Sequence, residues 1–247
     1  MTRRLRVRIV LPAYNEAQAL ESSLYQVHNF CRRYLGHYEW KILIVSNGCS
    51  DGTAAIASIL SATYPCVATL ILPNAGRGGA LRRAAELPGA DYLLYMDVDL
   101  STNLEAMPRL LAELDRGADV VVGSRHHPHS QVTRALHREV LSRGYNIMLK
   151  TLFGVTTFRD AQCGFKAFRL NRLQQLLSLV RDHRWFFDTE VLVLAEYSGL
   201  KVVEVPVHWI EDLDSRVDIP TTIAQKLFGL ARLKLTARRV VAHSLRQ

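Results

Sequence analysis

The sequence predicts an α/β fold with a mostly parallel central sheet and helices on both faces. Three observations predict it. Short β-branched runs alternate with stretches of helical periodicity at regular spacing through the first half of the chain. Polar motifs follow several of these runs, where open α/β sheets hold their ligands. A chain of 247 residues with 49% hydrophobic and 22% charged content can also bury a substantial core as one globular unit.

The elements follow in order. Val7-Arg-Ile-Val-Leu-Pro12 is a strand closed by proline, and Asn15-Glu16 opens a helix whose Leu20, Leu24, Val27 and Cys31 recur at helical intervals. Lys41-Ile-Leu-Ile-Val45 is the second strand; it ends in Ser46-Asn-Gly-Cys-Ser50, after which Asp51 caps a helix through Ala55, Ile56, Ile59 and Leu60. The third strand is Val67 to Leu72. Gly76-Arg-Gly-Gly79 reads as a loop that lets backbone approach a ligand, with Arg77 and Arg82 available to a diphosphate. Tyr92 to Met96 is the fourth strand, a helix runs from Leu104 to Leu114, and Val120-Val-Val122 leads into Gly123-Ser-Arg125.

Composition narrows the function classes. Lys and Arg number 31 against 23 Asp and Glu, a formal charge of +8, which points to an anionic partner. No recognised RNA-binding motif accompanies the charge, so nucleic acid is not expected. Cys31, Cys49, Cys66 and Cys163 have no metal-ligand spacing, which disfavours zinc and suits a reducing cytosol. The basic start, Thr2 to Arg8, is followed by too short an apolar run for a signal peptide, and no run approaches the ~18 residues that span a bilayer. The expected location is cytoplasmic, at the inner face of a membrane, with peripheral contact only. Neither G-x-G-x-x-G nor G-x-x-x-x-G-K-[ST] occurs, which disfavours a dinucleotide enzyme and a P-loop ATPase.

Asp97-Val98-Asp99 carries the chemistry. Side chains two apart on a strand share a face, so the two carboxylates can converge on one hard cation while Val98 turns to the core. A cation held there can carry a phosphate. An Asp-x-Asp is by itself more often a turn or a cap.

Its company is more specific. Pro12-Ala-Tyr-Asn-Glu16, Ser46 to Thr53, Gly76 to Arg82, Asp97 to Asp99, Gly123-Ser-Arg125, Asp160-Ala-Gln-Cys-Gly-Phe-Lys166 and Arg184 to Glu190 resemble, in order, the motifs of family 2 glycosyltransferases. Gln162 to Lys166, Trp185 to Glu190 and Val205 to Glu211 are most similar to dolichyl-phosphate β-glucosyltransferases, with the mannosyltransferases as near relatives. The resemblance covers residues 7 to about 217 and implies a GT-A fold, an inverting mechanism, a nucleoside-diphosphate sugar donor and a polyprenyl-phosphate acceptor. It implies a donor site of Pro12, Ala13, Tyr14, Asn15, Glu16, Asn47, Asp51, Gly76, Arg77, Gly78, Asp97, Val98 and Asp99. One departure stands out: Ser46 and Asn47 occupy positions where the family usually has two aspartates, although the Asn47 amide still offers an acceptor and a donor.

The expected chemistry is metal-assisted transfer. Mg2+ or Mn2+ on Asp97 and Asp99 would neutralise the departing diphosphate. The acceptor phosphate, with a second pKa of about 6, needs charge screening more than a base. Between Arg125 and Arg143 lie Arg125, Arg134, Arg138, Arg143 and four histidines against Glu139 as the one acid. Arginine forks match phosphate oxygens, and by resemblance Arg125, Arg138 and then Arg143 are the acceptor-phosphate ligands, with Gln162 beside them. Asp188 and Asp160 are the candidate catalytic acids, as base or as positioning groups; Asp188 equally suits a helix N-cap, and Glu190 a first-turn acid. His126-His127-Pro128-His129 fits a polar loop better than a zinc site, and Trp185 and Trp209 suit either an entrance or the core.

Two segments follow from this reading: a catalytic domain over 1–217 and a basic amphipathic tail over 218–247. In the tail Ile223, Leu227, Leu230, Val240 and Val241 oppose Lys226, Arg232, Lys234, Arg238 and Arg239, a pattern that suits either a membrane surface or a helix packed on the sheet. A membrane protein partner could also recruit the chain. The resulting expectation is hexose transfer, glucose first, from a nucleoside-diphosphate sugar to polyprenyl phosphate. The alternatives are a GDP-mannose-dependent or other glycan-building transferase and, from a different class, a non-catalytic basic module recruited to membranes.

Overall fold

A computed structural model describes residues 3–211, 225–235 and 237. Seven strands form one sheet: β1 (Arg6–Ala13), β2 (Glu39–Asn47), β3 (Val67–Leu72), β4 (Tyr92–Tyr95), β5 (Val120–Ser124), β7 (Lys166–Arg169) and β8 (Val202–Pro206). Their spatial order is β3-β2-β1-β4-β7-β5-β8. All pairings are parallel except those of β7, which runs antiparallel between β4 and β5. Two short strands, β6 (Gln131–Thr133) and β9 (His208–Ile210), pair beside the main sheet.

The strands are apolar on both faces because helices cover both. Val10, Leu43, Val45, Leu93, Tyr95, Val120 and Val122 point into one core layer. Their immediate neighbours Ile9, Leu11, Ile42, Ile44, Leu94 and Val121 point into the other, as the two-residue strand period requires. The helices are α1 (Leu20–Tyr34), α2 (Thr53–Thr63), α3 (Arg77–Glu86), α4 (Ala106–Asp115), α5 (Leu136–Phe153), α6 (Leu170–Leu177) and α7 (Phe187–Tyr197). Sequence periodicity locates α1, α2 and α4, with α1 starting at Leu20 instead of Asn15, which sits at positive φ before it. The segment read as a glycine loop is the start of α3, and β7, antiparallel to β4 and β5, is a strand that the sequence reading does not include.

The described part of the C-terminal segment is a helix over 225–235 packed on the core. Leu230 and Leu233 are buried in the same layer as Phe186 and Val191, each contributing about 2 kcal/mol of apolar burial. Arg232 reaches Asp182 at 3.3 Å and the fully buried Glu190 at 3.2 Å. Of the two readings of the tail, packing on the sheet describes this stretch; Ile223, Arg238, Arg239, Val240 and Val241 lie outside the described residues. Among the described residues no helix is long and apolar enough to cross a membrane.

Candidate active site

The carboxyl ends of β1, β2 and β4 converge with the start of α3. After β1, Asn15 takes a left-handed φ of 57° and its side-chain oxygen accepts the Ser50 N–H at 2.9 Å, tying the first two loops together. Asp51 accepts from the Thr53 N–H at 3.0 Å and the Ala17 N–H at 3.2 Å, so it braces the turn before α2 from one position ahead of the N-cap, which is Gly52 and not Asp51 as expected, while the Glu16 N–H donates to the Thr53 hydroxyl. Pro12 is half-buried, Ala13 buried and Tyr14 exposed at the mouth. Asn47 departs from expectation. It is buried, its amide nitrogen donates to Ala13 O at 2.8 Å and its oxygen accepts the Gly76 N–H at 2.9 Å. Those groups are therefore spent on fixing β1 against α3 and are not free to read a base. Gly78 is likewise turned inward, so close to Phe187 that an added Cβ would lie 2.6 Å from that residue's Cβ. Arg82 points away, donating to Leu177 O at 2.7 Å and Val180 O.

At the tip of β4 the chain presents Asp97 half-buried and Asp99 exposed, with Val98 buried between them as the alternation requires. Leu100 turns at φ 53° and the Ser101 N–H donates to Asp99 Oδ1 at 2.9 Å, a local turn that holds the second carboxylate. Arg77 comes from α3 to place Nη2 3.0 Å from Asp97 Oδ1. Gly164 lies against the pair so closely that an added Cβ would sit 2.6 Å from Asp97 Cγ and 2.8 Å from Arg77 Nη2. Asp97 and Asp99 offer hard carboxylate oxygens of the kind Mg2+ or Mn2+ takes, and with no group of three or more His, Cys, Asp or Glu among the described residues the rest of such an ion's shell would come from phosphate oxygens and water.

Below Asp97 lies a buried charge network. Lys166, at the start of β7, is fully buried and donates to Asp188 Oδ1 and Cys163 O at 2.8 and 2.6 Å. The Tyr95 hydroxyl donates to the same Asp188 oxygen, and Arg77 Nε stands 3.7 Å from the other. Arg77 also lies 5.3 Å from the Tyr95 ring and 5.8 Å from that of Trp185. Burial raises the Asp188 carboxyl to about 6 against the opposing charges of Arg77 and Lys226, and burial lowers Lys166 to about 7. For Arg77 burial favours the neutral form, but Asp97 first and then Asp188 outweigh it and raise its pKa. Asp188 is the second residue of α7, not its N-cap. Glu190, read as an ordinary first-turn acid, accepts the N–H groups of Arg181 and Asp182 at 3.0 and 2.7 Å and thereby holds the preceding loop.

The arginines expected on the acceptor side are already engaged. Arg125 grips Asp160 through Nε at 2.7 Å and Nη2 at 2.8 Å, and its backbone N–H adds a bond at 3.0 Å. Burial alone would raise Asp160, yet the Arg125 charge and hydrogen bonds outweigh it and hold the carboxyl far below the ordinary range. Arg125 and Arg134 stack over the Trp209 ring at 5.4 and 5.2 Å from its centre. Arg138 pairs with Glu211 at 2.8 Å, and Arg143, well exposed, pairs with Glu139 at 2.6 Å. Gln162 is half-buried and its backbone N–H donates to Asp160 Oδ1 at 3.1 Å. His126 bonds Ser142 at 3.0 Å with its pKa lowered by burial, and His127 and His129 sit in an adjoining turn. Burial raises the Cys163 thiol to about 11, so it is no nucleophile.

Sequence reasoning did not single out Lys166 or Tyr95. The signal for Lys166 was available: it is a lone charge in the run Cys163-Gly-Phe-Lys-Ala-Phe168, and a buried lysine needs a partner.

An open, mostly parallel sheet with paired carboxylates at the tip of β4 and an antiparallel β7 beside it is the GT-A architecture. The model of the family described as "Glycosyl transferase family 2" matches residues 8–176, and the chain belongs to that family. It is 37% identical over 215 residues to Glycosyltransferase AglD of Haloferax volcanii, covering 86% of this chain and 34% of that protein. It is 32% identical over 221 residues to the dolichyl-phosphate beta-glucosyltransferase of Drosophila melanogaster, covering 84% of this chain and 68% of that one. The chain thus spans about a third of the first relative's length and about two thirds of the second's. Glucosyl-3-phosphoglycerate synthase from Mycobacterium tuberculosis, solved with Mn2+, UDP-glucose and phosphoglyceric acid, has the same fold. That likeness has a TM-score of 0.68 at 18% identity and covers 95% of this chain and 80% of that one.

Proposed function

We propose that this protein is an inverting hexosyltransferase that moves glucose from a nucleoside-diphosphate sugar to a polyprenyl, dolichyl-type phosphate at the cytoplasmic face of a membrane. The observation that carries the reading is the adjacency of Asp97, at the tip of β4, to Arg77 and the buried cations behind it. One substrate anion is served by carboxylates that hold a cation, the other by arginines. Asp97 and Asp99 would hold Mg2+ or Mn2+, which when bound supplies Lewis-acid stabilisation of the diphosphate. The UDP-glucose and Mn2+ of the mycobacterial structure make that donor and that ion the first to test.

The chain's own residues then do three things. Arg77 faces the diphosphate side with its guanidinium already oriented by Asp97 and Asp188, so no reorganisation is needed when charge develops there. Arg125, locked by Asp160, and Trp209 shape the acceptor side. Asp188 and Asp160 act as positioning groups, because each is buried with its oxygens engaged by cations and the acceptor phosphate brings its own lone pairs.

A lipid acceptor is supported by the outer face of α5. Leu136, Val140, Arg143 and Ile147 recur at helical spacing on one side, and the three apolar members are 78%, 62% and 62% exposed. Leu227 and Phe228 on the 225–235 helix are also exposed. Apolar side chains interleaved with arginine suit the headgroup region of an anionic leaflet, from which a polyprenyl phosphate would be drawn.

The deciding experiment incubates the full chain with Mn2+ or Mg2+, labelled UDP- and GDP-sugars, and either short-chain polyprenyl phosphate or phosphoglyceric acid. Label from UDP-glucose in the lipid extract, abolished by Asp99→Asn, is expected. Label only in phosphoglycerate would replace the acceptor. No label with any donor would leave the non-catalytic membrane module as the reading.

A further inference from the structure

Lys226 stands apart from the cations already described. Arg77, Arg125, Arg138, Arg143 and Lys166 each lie within 4 Å of a carboxylate oxygen. Lys226 is half-buried, and among the described residues its ammonium has no carboxylate or carbonyl partner; it lies 5.1 Å from the centre of the Tyr145 ring. A lysine partly withdrawn from water without a carboxylate beside it gains from an anion that docks against it.

Its position is fixed by packing, not by chance of a surface rotamer. One turn further along the same helix, Gly229 lies flat on Phe186, where an added Cβ would come to 2.5 Å from the ring. Leu230 and Leu233 are in the core, and Arg232 is pinned by Asp182 and Glu190. The platform beneath the ammonium belongs to the active centre. The Tyr145 hydroxyl bonds Thr189 at 2.8 Å, Thr189 follows Asp188, and the next residue of α5, Asn146, accepts the Ala161 N–H at 3.0 Å beside Asp160. The charges that act on Lys226 through space are Arg125, from the end of β5, which disfavours its charged form, and Asp188, from α7, which favours it. Asp188 is already bonded to Lys166 and close to Arg77, and two N–H groups of Arg125 are spent on Asp160. The unanswered positive charge of this corner therefore resides on Lys226.

We propose that the Lys226 ammonium, held over Tyr145 by the 225–235 helix, is a ligand of the acceptor's phosphate monoester, so that the C-terminal segment completes the acceptor site. This rests on the reading that the site takes a phosphate-bearing acceptor. It assigns the helix a chemical role at the centre and not only contact with a membrane. Its three rotatable donors suit a phosphate that must enter and, once glycosylated, leave with less charge.

The test measures binding of farnesyl phosphate and of inorganic phosphate to the full-length protein by calorimetry, without donor or metal, for wild type, Lys226→Met and Lys226→Arg. UDP-glucose binding with Mn2+ and the melting temperature serve as controls. Loss of one charge-assisted contact is expected to weaken farnesyl phosphate about tenfold or more in Lys226→Met. Lys226→Arg should keep most of the affinity, and donor binding and melting should not move. In turnover the same loss should appear in KM for the acceptor with kcat little changed. Equal phosphate affinity in wild type and Lys226→Met, or no phosphate binding by wild type, overturns the proposal. Wild-type phosphate binding that depends on Lys226, with no sugar transfer from any donor, would uphold the anion site and sink the transferase reading. Transfer to lipid with a KM indifferent to Lys226 would do the reverse. Weakening confined to farnesyl phosphate would identify a lipid-linked monoester, while equal weakening of inorganic phosphate would identify a general phosphate site.

Discussion

Gly164→Ala isolates the geometry of the proposed metal site from the stability of the fold. The added methyl would collide first with Asp97 Oδ2, and would also sit 2.6 Å from Asp97 Cγ and 2.8 Å from Arg77 Nη2, so the Asp97 carboxylate must move by more than the roughly 1 Å by which the Cγ contact falls inside the ~3.5 Å at which carbon atoms touch. The groups that must yield are side-chain ends, and the Asp97 side chain is 41% exposed, so it can swing toward solvent. Stability should therefore fall by about 2 kcal/mol, the middle of the usual cost of overpacking, and the melting temperature by about 4 to 8 °C. Activity should fall as well, because the displaced group is the one assigned to the cation and to Arg77. A misplacement of about 1 Å in a positioned group costs about 100-fold, or roughly 2.7 kcal/mol of transition-state stabilisation. The assay is kcat/KM for the donor across an Mn2+ titration, beside a thermal melt. A variant with wild-type kcat/KM at every Mn2+ concentration would refute the placement of Asp97, and a variant that fails to fold would refute the claim that the clash is relieved at the surface.

Further expectations follow from the same contacts. Lys166→Met should destabilise by about 3 kcal/mol, since it leaves Asp188 buried beside an apolar side chain; adding Asp188→Asn should recover part of that loss, and additive melts would count against a coupled pair. The Lys226 ammonium has its pKa lowered by burial to about 8, so it is charged below that pH and neutral above it. With Arg125 and the acceptor phosphate fixed in charge over this range, Asp188 ionised and Lys166, lowered to about 7, losing its proton mostly below it, KM for the acceptor should rise between pH 7.5 and 9.5 in wild type and stay nearly flat in Lys226→Arg, as measured by initial rates at saturating donor. Replacing exposed Leu136 and Val140 with Asp should weaken cosedimentation with anionic vesicles while leaving turnover of a soluble short-chain phosphate intact; unchanged sedimentation would remove α5 from the membrane surface.

The sheet was legible because composition is a local signal: β1 to β5 each carry enough β-branched or aliphatic side chains to declare a strand, including β3 at the sheet edge, where Ala68 and Ile71 are exposed. The carboxylates of Asp97 and Asp99 were legible for the same reason, as a polar break after an apolar run. What escaped depends on contacts between distant segments. Glycine weakens a helix by about 1 kcal/mol per residue, so Gly76 to Gly79 read as a loop, yet closeness to His183 and Phe187 selects glycine at the start of α3. β7 was hidden because its first residue is a lysine, acceptable there only because Asp188, 22 positions later, arrives to receive it. The arginines after β5 were read by number and charge. Their partners Asp160 and Glu211 turn Arg125 and Arg138 from free cations into oriented ones, which sequence spacing does not reveal.

The direction in which charge moves in the proposed reaction explains why two kinds of cation flank the site. A phosphate monoester becomes a diester as its sugar bond forms, so the acceptor side loses about one negative charge, and the diphosphate gains it as its bond to the anomeric carbon breaks. A cation that must answer the new charge works best rigid and prepaid, which is the condition of Arg77 between Asp97 and Asp188. A cation that must bind the acceptor and then release a less charged product works best as a single ammonium with no carboxylate tie, which is the condition of Lys226 among the described residues. Arg77→Met should therefore lower kcat with little change in the acceptor's KM, whereas Lys226→Met should raise that KM with little change in kcat. Initial-rate kinetics on the two variants would show the split, and a shared loss in both parameters for both variants would mean that the two cations do not divide the charge in this way.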